Sequence, residues 1–159
     1  MLSNTTKENA TQTDMEELGQ CKFCSMIKNK RNYDTFITEL NYGYVFLNPN
    51  QSYKGRVIYI LKEHIEDFTE VDNDLFLNFC GEMKQIAKIT KQTLQNPLIN
   101  VAILGNKIKH LHWHIIPRYK YDSRWNGPPW PIDTKLLNPD EYKELALLIG
   151  GKLKVLKND

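Results

Sequence analysis

The spacing of apolar positions changes along the chain, and each change marks an element. Thr35 to Leu40, Tyr42 to Leu47 and Arg56 to Leu61 are short runs rich in β-branched and aromatic residues. Asn41 to Gly43 and the polar stretch Asn48 to Gly55 separate them, and both breaks carry turn chemistry, which predicts antiparallel neighbours. The period then lengthens. Phe76, Phe79, Cys80, Met83, Ala87, Thr90 and Leu94 recur at helical spacing behind Asp72, which suits an N-cap. Two further strands are predicted, Leu98 to Leu104 and Ile108 to Pro117, followed by a Trp/Pro/Gly loop from Arg124 to Pro131. Asn138-Pro139-Asp140-Glu141 opens a last helix with a capping residue and a proline in its first turn. Leu145, Ile149, Leu153 and Leu156 form its apolar face, with Gly150-Gly151 as a point where it breaks. Strands, a helix, more strands and a helix make an α+β fold.

Met1 to Glu17 is rich in Thr, Asn and Glu and poor in aliphatics, so residues 1–19 are expected to form a flexible tail with one helical turn near Asp14 to Leu18. No repeat or low-complexity linker interrupts the chain after this tail, and residues 20–159 are expected to form one domain. The 41% hydrophobic content supports a real core. A formal charge of +2, with the basic residues scattered, argues against a nucleic-acid partner. No apolar run approaches the roughly 20 residues of a membrane helix, so no membrane partner is expected. The first twenty residues lack a secretory apolar segment. Three cysteines, an odd number with two close together, do not resemble a disulfide framework. Together these predict a reducing, cytoplasmic location.

Chemistry concentrates in His110-Leu111-His112-Trp113-His114-Ile115-Ile116-Pro117-Arg118. On a strand the three histidines share one face, roughly 6 to 7 Å apart, while Leu111, Trp113 and Ile115 share the other. Three of four histidines within five residues is a poor fit to core filling. Three in-line imidazoles can chelate a metal or perform covalent phosphoryl chemistry. Successive strand positions splay too far for one tetrahedral ion. In phosphoryl chemistry the central ring attacks phosphorus while its neighbours bind phosphate oxygens and move a proton. The central ring must then be held in one tautomer, most simply by a backbone carbonyl accepting from its Nδ1.

His110-Leu-His112-Trp-His114-Ile-Ile resembles the His-φ-His-φ-His-φ-φ signature of the histidine-triad superfamily, and Pro117-Arg118 extends the match. Cys21-Lys-Phe-Cys24 resembles the amino-terminal Cys-x-x-Cys of that family. Phe46-Leu47-Asn48-Pro49 with Gly55-Arg56-Val57 resembles its second and third strands, and Leu61-Lys62-Glu63-His64 its Pro-Lys-x-His step. Asn100 and Gly105-Asn106 stand at its strand asparagine and its Gly-Gln phosphate turn. The resemblance, from about Cys21 to Trp130, implies a five-stranded antiparallel sheet packed with a long central helix and a C-terminal helix, in a homodimer. It further implies cleavage at an α-phosphorus through a nucleotidyl-histidine on His112, with His114 and His110 completing the triad and His114 on the phosphate. Histidine at 114, where nucleotide-transferring relatives carry glutamine, implies water as acceptor. The turn before the triad is most similar to bacterial members that hydrolyse diadenosine polyphosphates, including diadenosine tetraphosphate.

Asn48, Asn100, Gly105, Asn106 and Lys107 are the nucleotide-binding residues the resemblance implies. Asn48 stands where the family often has a ribose-binding aspartate, and keeps the hydrogen bonding without the charge. Asn106 replaces the glutamine, and Lys107 either adds charge at the site or points to solvent. Cys21 and Cys24 have zinc-knuckle spacing but supply half a tetrahedral site; a redox pair or ordinary buried thiols are the alternatives. Some relatives complete a zinc site with the histidines at the positions of His64 and His110, which implies structural Zn2+ here. Trp113 and Cys80 are read as packing residues. Trp125 and Trp130 either stack on a base or seal an edge of the fold. The expected function is hydrolysis of dinucleoside polyphosphates or related conjugates. Cleavage of nucleoside phosphoramidates, or a nucleotide-binding regulatory role with little turnover, are the alternatives.

Overall fold

The computed structural model describes residues 21–96, 98–131 and 133–153. The expected tail and Leu156 lie outside them. A short helix α1 (Lys22–Lys28) precedes strands β1 (Phe36–Glu39), β2 (Gly43–Leu47) and β3 (Val57–Leu61). Helix α2 (Asn73–Leu94), strands β4 (Leu98–Ile103) and β5 (His112–Arg118), and helix α3 (Pro139–Leu153) complete the order. The five strands form one antiparallel sheet, as the resemblance implied, in the order β1-β2-β3-β5-β4, and the antiparallel neighbours expected from the first two turns are β1 with β2 and β2 with β3.

Alternation divides the sheet into two faces. Val45, Leu47, Val57, Tyr59, Leu61 and Ile115 pack with Phe79 and Ile86 of α2 and Leu145, Ile149 and Leu153 of α3. Trp113 joins this side, parallel to Phe76, as a packing residue. Phe46, Ile58 and Ile60 face the other way and are covered by Phe23 and Met26 of α1. Ile58 pairs with His114 and Ile60 with His112, so the histidines stand on this second, thinly covered face.

The helix signals take the form expected of them. Asp72 accepts from the amides of Asp74 and Leu75 at 2.9 and 3.1 Å. Asn138 and Glu141 cap each other reciprocally, side chain to amide, at 3.0 and 2.8 Å, with Pro139 as the first helical residue. Gly150-Gly151 does not break α3, which continues to Leu153. A Cβ at Gly150 would sit 3.1 Å from Cγ2 of Ile37, so glycine here lets the helix lie close on β1. Two further expectations are corrected. Residues 22–28, assigned no element from the pattern, form α1, and the strand predicted from Ile108 begins only at His112.

Candidate active site and metal centre

The β2–β3 connection positions one wall of the site. Gln51, almost wholly buried, donates from Nε2 to the carbonyls of Asn48 and Arg56 at 2.6 and 2.9 Å and accepts from the Gly55 amide at 2.8 Å. Gly55 takes φ +83°, a conformation that suits glycine. The loop therefore delivers Arg56 in a fixed position at the head of β3.

His112 is 3 % exposed, and its Nδ1 lies 2.7 Å from the carbonyl oxygen of His110. A carbonyl only accepts, so Nδ1 carries the proton and Nε2 keeps its lone pair. This is the tautomer lock that covalent chemistry at Nε2 requires. Nε2 of His112 meets Nε2 of His114 at 3.2 Å, closer than two strand rises, because the two rings incline edge-to-face. With the His112 lone pair accepting, His114 donates Nε2–H and its Nδ1 is left to accept. Nη2 of Arg56 lies 3.4 Å from that Nδ1. Every proton in the row from Arg56 to the His110 carbonyl is thus assigned by one permanent donor and one permanent acceptor. Burial lowers the pKa of His112, although the His110 carbonyl opposes it. Burial, followed by His112 and Arg56, pulls His114 down to about 3. Both rings are neutral at pH 7.

Phe23 stands edge-on to His112 at 4.7 Å, and Trp130 edge-on to His114 at 5.7 Å. The Trp/Pro/Gly loop therefore reaches the histidines. Its anchor is Arg118, 1 % exposed, which binds the Asn100 side chain at 2.6 Å, the Asp122 carboxylate at 3.1 Å and the carbonyls of Gly127 and Arg124.

His110 lies outside the ladder and turns elsewhere. It is 1 % exposed; its Nε2 donates to the Leu61 carbonyl at 2.8 Å, which leaves the Nδ1 lone pair facing Cys21 and Cys24 at 3.4 and 3.5 Å. His64 Nδ1 lies 3.3 Å from His110 Nδ1 and 3.4 Å from Cys24 Sγ, while its Nε2 faces Glu66 at 3.7 Å. The four ligand atoms all lie within 4.8 Å of one another. Zinc–ligand lengths of about 2.3 Å (S) and 2.0 Å (N) in a tetrahedron give separations of ~3.3 Å for N···N and ~3.6 Å for S···N. The cluster has those dimensions and can hold a metal ion. Partial burial, then the neighbouring Cys21, pushes the Cys24 thiol up to about 11 without a cation nearby.

The other expected residues are spread more widely. Asn48 is buried beside the Gln51 hub and accepts from the Asn50 amide at 2.8 Å. Asn100 belongs to the Arg118 clamp. Gly105 and Asn106 line a cavity of about 710 Å³ with Glu66, Asp67, Phe68, Glu70, Ile103 and Lys109, and Lys107 is exposed. Sequence reasoning missed Arg56, Phe23 and the Arg118 anchor. A signal for Arg56 existed, since a cation heading the wholly apolar run Val57–Leu61 is out of place unless a neighbour needs it.

The fold is thus a five-stranded antiparallel sheet with His112 and His114 paired on the face that α1 covers. Residues 29–121 match the HIT domain family model, and the chain belongs to the HIT family. A HIT-like protein of Methanocaldococcus jannaschii is 31% identical over 65% of this chain and 82% of its own length. The adenosine 5'-monophosphoramidase of Schizosaccharomyces pombe is 26% identical over 84% and 98%. The bis(5'-adenosyl)-triphosphatase of Dictyostelium discoideum is 26% identical over 69% and 76%. Among solved structures, a hypothetical histidine triad nucleotide-binding protein of Sulfolobus tokodaii matches with TM-score 0.70 at 25% identity over 86% of this chain and 94% of that one. A Zn-bound histidine triad protein of Mycobacterium smegmatis shares the fold, with TM-score 0.67 at 20% identity over 87% and 96%.

Proposed function

We propose that this chain hydrolyses nucleotide conjugates at the α-phosphorus through a covalent nucleotidyl-histidine on His112. The observation that carries the proposal is the His112 ring, whose Nδ1–H donates to the His110 carbonyl oxygen and which therefore bears its lone pair at Nε2. Nε2 attacks phosphorus, a P–N bond forms, and the bond to the leaving group breaks with its electron pair, which takes up a proton from solvent. Water next attacks the same phosphorus and gives up its proton to solvent, while the P–N electron pair returns to His112 Nε2. His114 Nε2–H donates to a non-bridging phosphate oxygen as charge develops there. Asn48, Asn100, Gly105, Asn106 and Lys107 are proposed to bind the nucleotide. The leaving group is proposed to be the second nucleotide of a dinucleoside polyphosphate. A phosphoramidate amine is the second reading, favoured by the likeness to a monophosphoramidase. A zinc ion held by Cys21, Cys24, His64 and His110 would be structural, tying α1 and the end of β3 to the approach into β5. A homodimer through the open edge of β4 is proposed as well, since Leu98, Val101 and Leu104 are exposed there.

His112→Ala should lower turnover by about four orders of magnitude or more while the fold persists. Single-turnover labelling with α-phosphorus-labelled diadenosine tetraphosphate and with adenosine phosphoramidate should place label on His112. Label on another residue, or full activity of the variant, overturns the mechanism. The relative kcat/KM of the two compounds decides the leaving group.

A further inference from the structure

The molecule buries two arginines, and they are treated in opposite ways. Arg118 is met by a carboxylate, an amide oxygen and two carbonyls. Arg56, 5 % exposed, forms no ion pair among the described residues, and its buried Nε has no hydrogen-bond partner. Its guanidinium touches a histidine nitrogen and lies 5.6 Å from the centre of the Trp130 ring. A buried guanidinium that served only packing would be expected to have acceptors, because an unpaired buried donor costs stability. Burial lowers Arg56 to about 10, so it remains charged at pH 7.

We propose that Arg56 is a positioning residue that keeps His114 Nδ1 free of a proton, so that His114 presents Nε2–H, and only Nε2–H, toward His112 and the phosphate. The geometry carries the argument. A guanidinium has donors and no acceptor, so whatever it faces must accept. Its place is fixed by main-chain bonds at both its amide and its carbonyl: the Arg56 amide donates to the Tyr53 carbonyl at 3.0 Å, and the Arg56 carbonyl accepts from Asn48 and Gln51. Trp130 packs on both Arg56 and His114, which holds the ring against the cation. With Nδ1 proton-free, His114 is a fixed neutral donor, and His112 Nε2 is never faced by a second lone pair.

This assignment deepens the hydrolase reading and rests on it for its catalytic consequence, but the proton position can be read without substrate. Nitrogen-15 spectra of the imidazoles in the free, metal-loaded protein at pH 7 should show His114 protonated at Nε2 alone. In Arg56→Met and Arg56→Gln, the His114 Nδ1 resonance should move toward the protonated value, while the Nε2–H of His110 keeps its position. With the hydrolysed conjugate, kcat should fall about tenfold or more in both variants, with KM changing less than about threefold, and Arg56→Lys should recover part of it. If Arg56→Met does not fold, Arg56→Gln decides. An unprotonated His114 Nδ1 in a folded variant overturns the proposal. Failure of the wild type to hydrolyse either compound would instead defeat the function and leave the proton assignment standing on the spectra.

Discussion

At the residue scale, neutrality of the histidine pair below about pH 6.5 belongs to the folded state and not to the unfolded chain. In the unfolded chain a histidine titrates near 6.5, whereas burial holds His114 at about 3 and lowers His110 and His112. As pH falls below about 6.5 the unfolded chain takes up protons that the folded rings refuse, so equilibrium shifts toward unfolding. The stabilisation is complete above that pH and is lost progressively toward pH 3. Thermal unfolding of the wild type should therefore show a midpoint that drops from pH 7 to pH 5, and His114→Asn should flatten the drop. Equal slopes for the two proteins would count against a buried neutral His114. The pairing of His112 with His114 was legible in the sequence because residues two apart share a strand face, but His110, expected on that same face, lies before the strand and faces Cys21 and Cys24. Arg56 was half legible: its place at the head of an apolar strand is a signal, but no pattern along one chain reports the lack of a carboxylate around it in space.

At the element scale, α1 is where sequence reasoning stopped short. Seven residues, charged only at the two ends, carry too few turns to register as a helix, and isolated helices of this length are unstable. What holds α1 is non-local: Phe23 and Met26 on the β2–β3 face, and Cys21 and Cys24 beside His64 and His110. The four clustered residues were named in advance by the resemblance, since the Cys-x-x-Cys spacing alone marks only half a site, even though α1 was not. One zinc per chain is expected by metal analysis, falling below about a tenth in Cys21→Ser. A strong chelator should lower the unfolding midpoint of the wild type and leave the variant unmoved. Unchanged stoichiometry in the variant would remove zinc from these residues. Gly150 teaches the complementary lesson. The residue looked like a helix break because intrinsic propensity disfavours glycine, but contact with Ile37 selects it.

At the scale of the whole molecule, no turn reports that β5 enters the sheet between β3 and β4, whereas the pairing of β1 with β2 and of β2 with β3 was legible in the turns between them. The outer edge of β4 was not. Its open hydrogen-bonding groups and exposed Leu98, Val101 and Leu104 are what a second copy would cover. Light scattering should return about twice the 18.7 kDa chain mass for the wild type and near the single mass for Val101→Lys. A wild-type monomer would end the dimer proposal, and a dimeric variant would move the interface elsewhere.

One arrangement bears on how this protein tolerates genetic change. The group that orients His112 is a main-chain oxygen, which every amino acid at position 110 would still possess. Where a side-chain carboxylate orients an imidazole, one codon change deletes the orienter; here none can. Drift at position 110 would cost the cysteine cluster its ligand first, while the reactive nitrogen keeps its lone pair for as long as the backbone keeps its course.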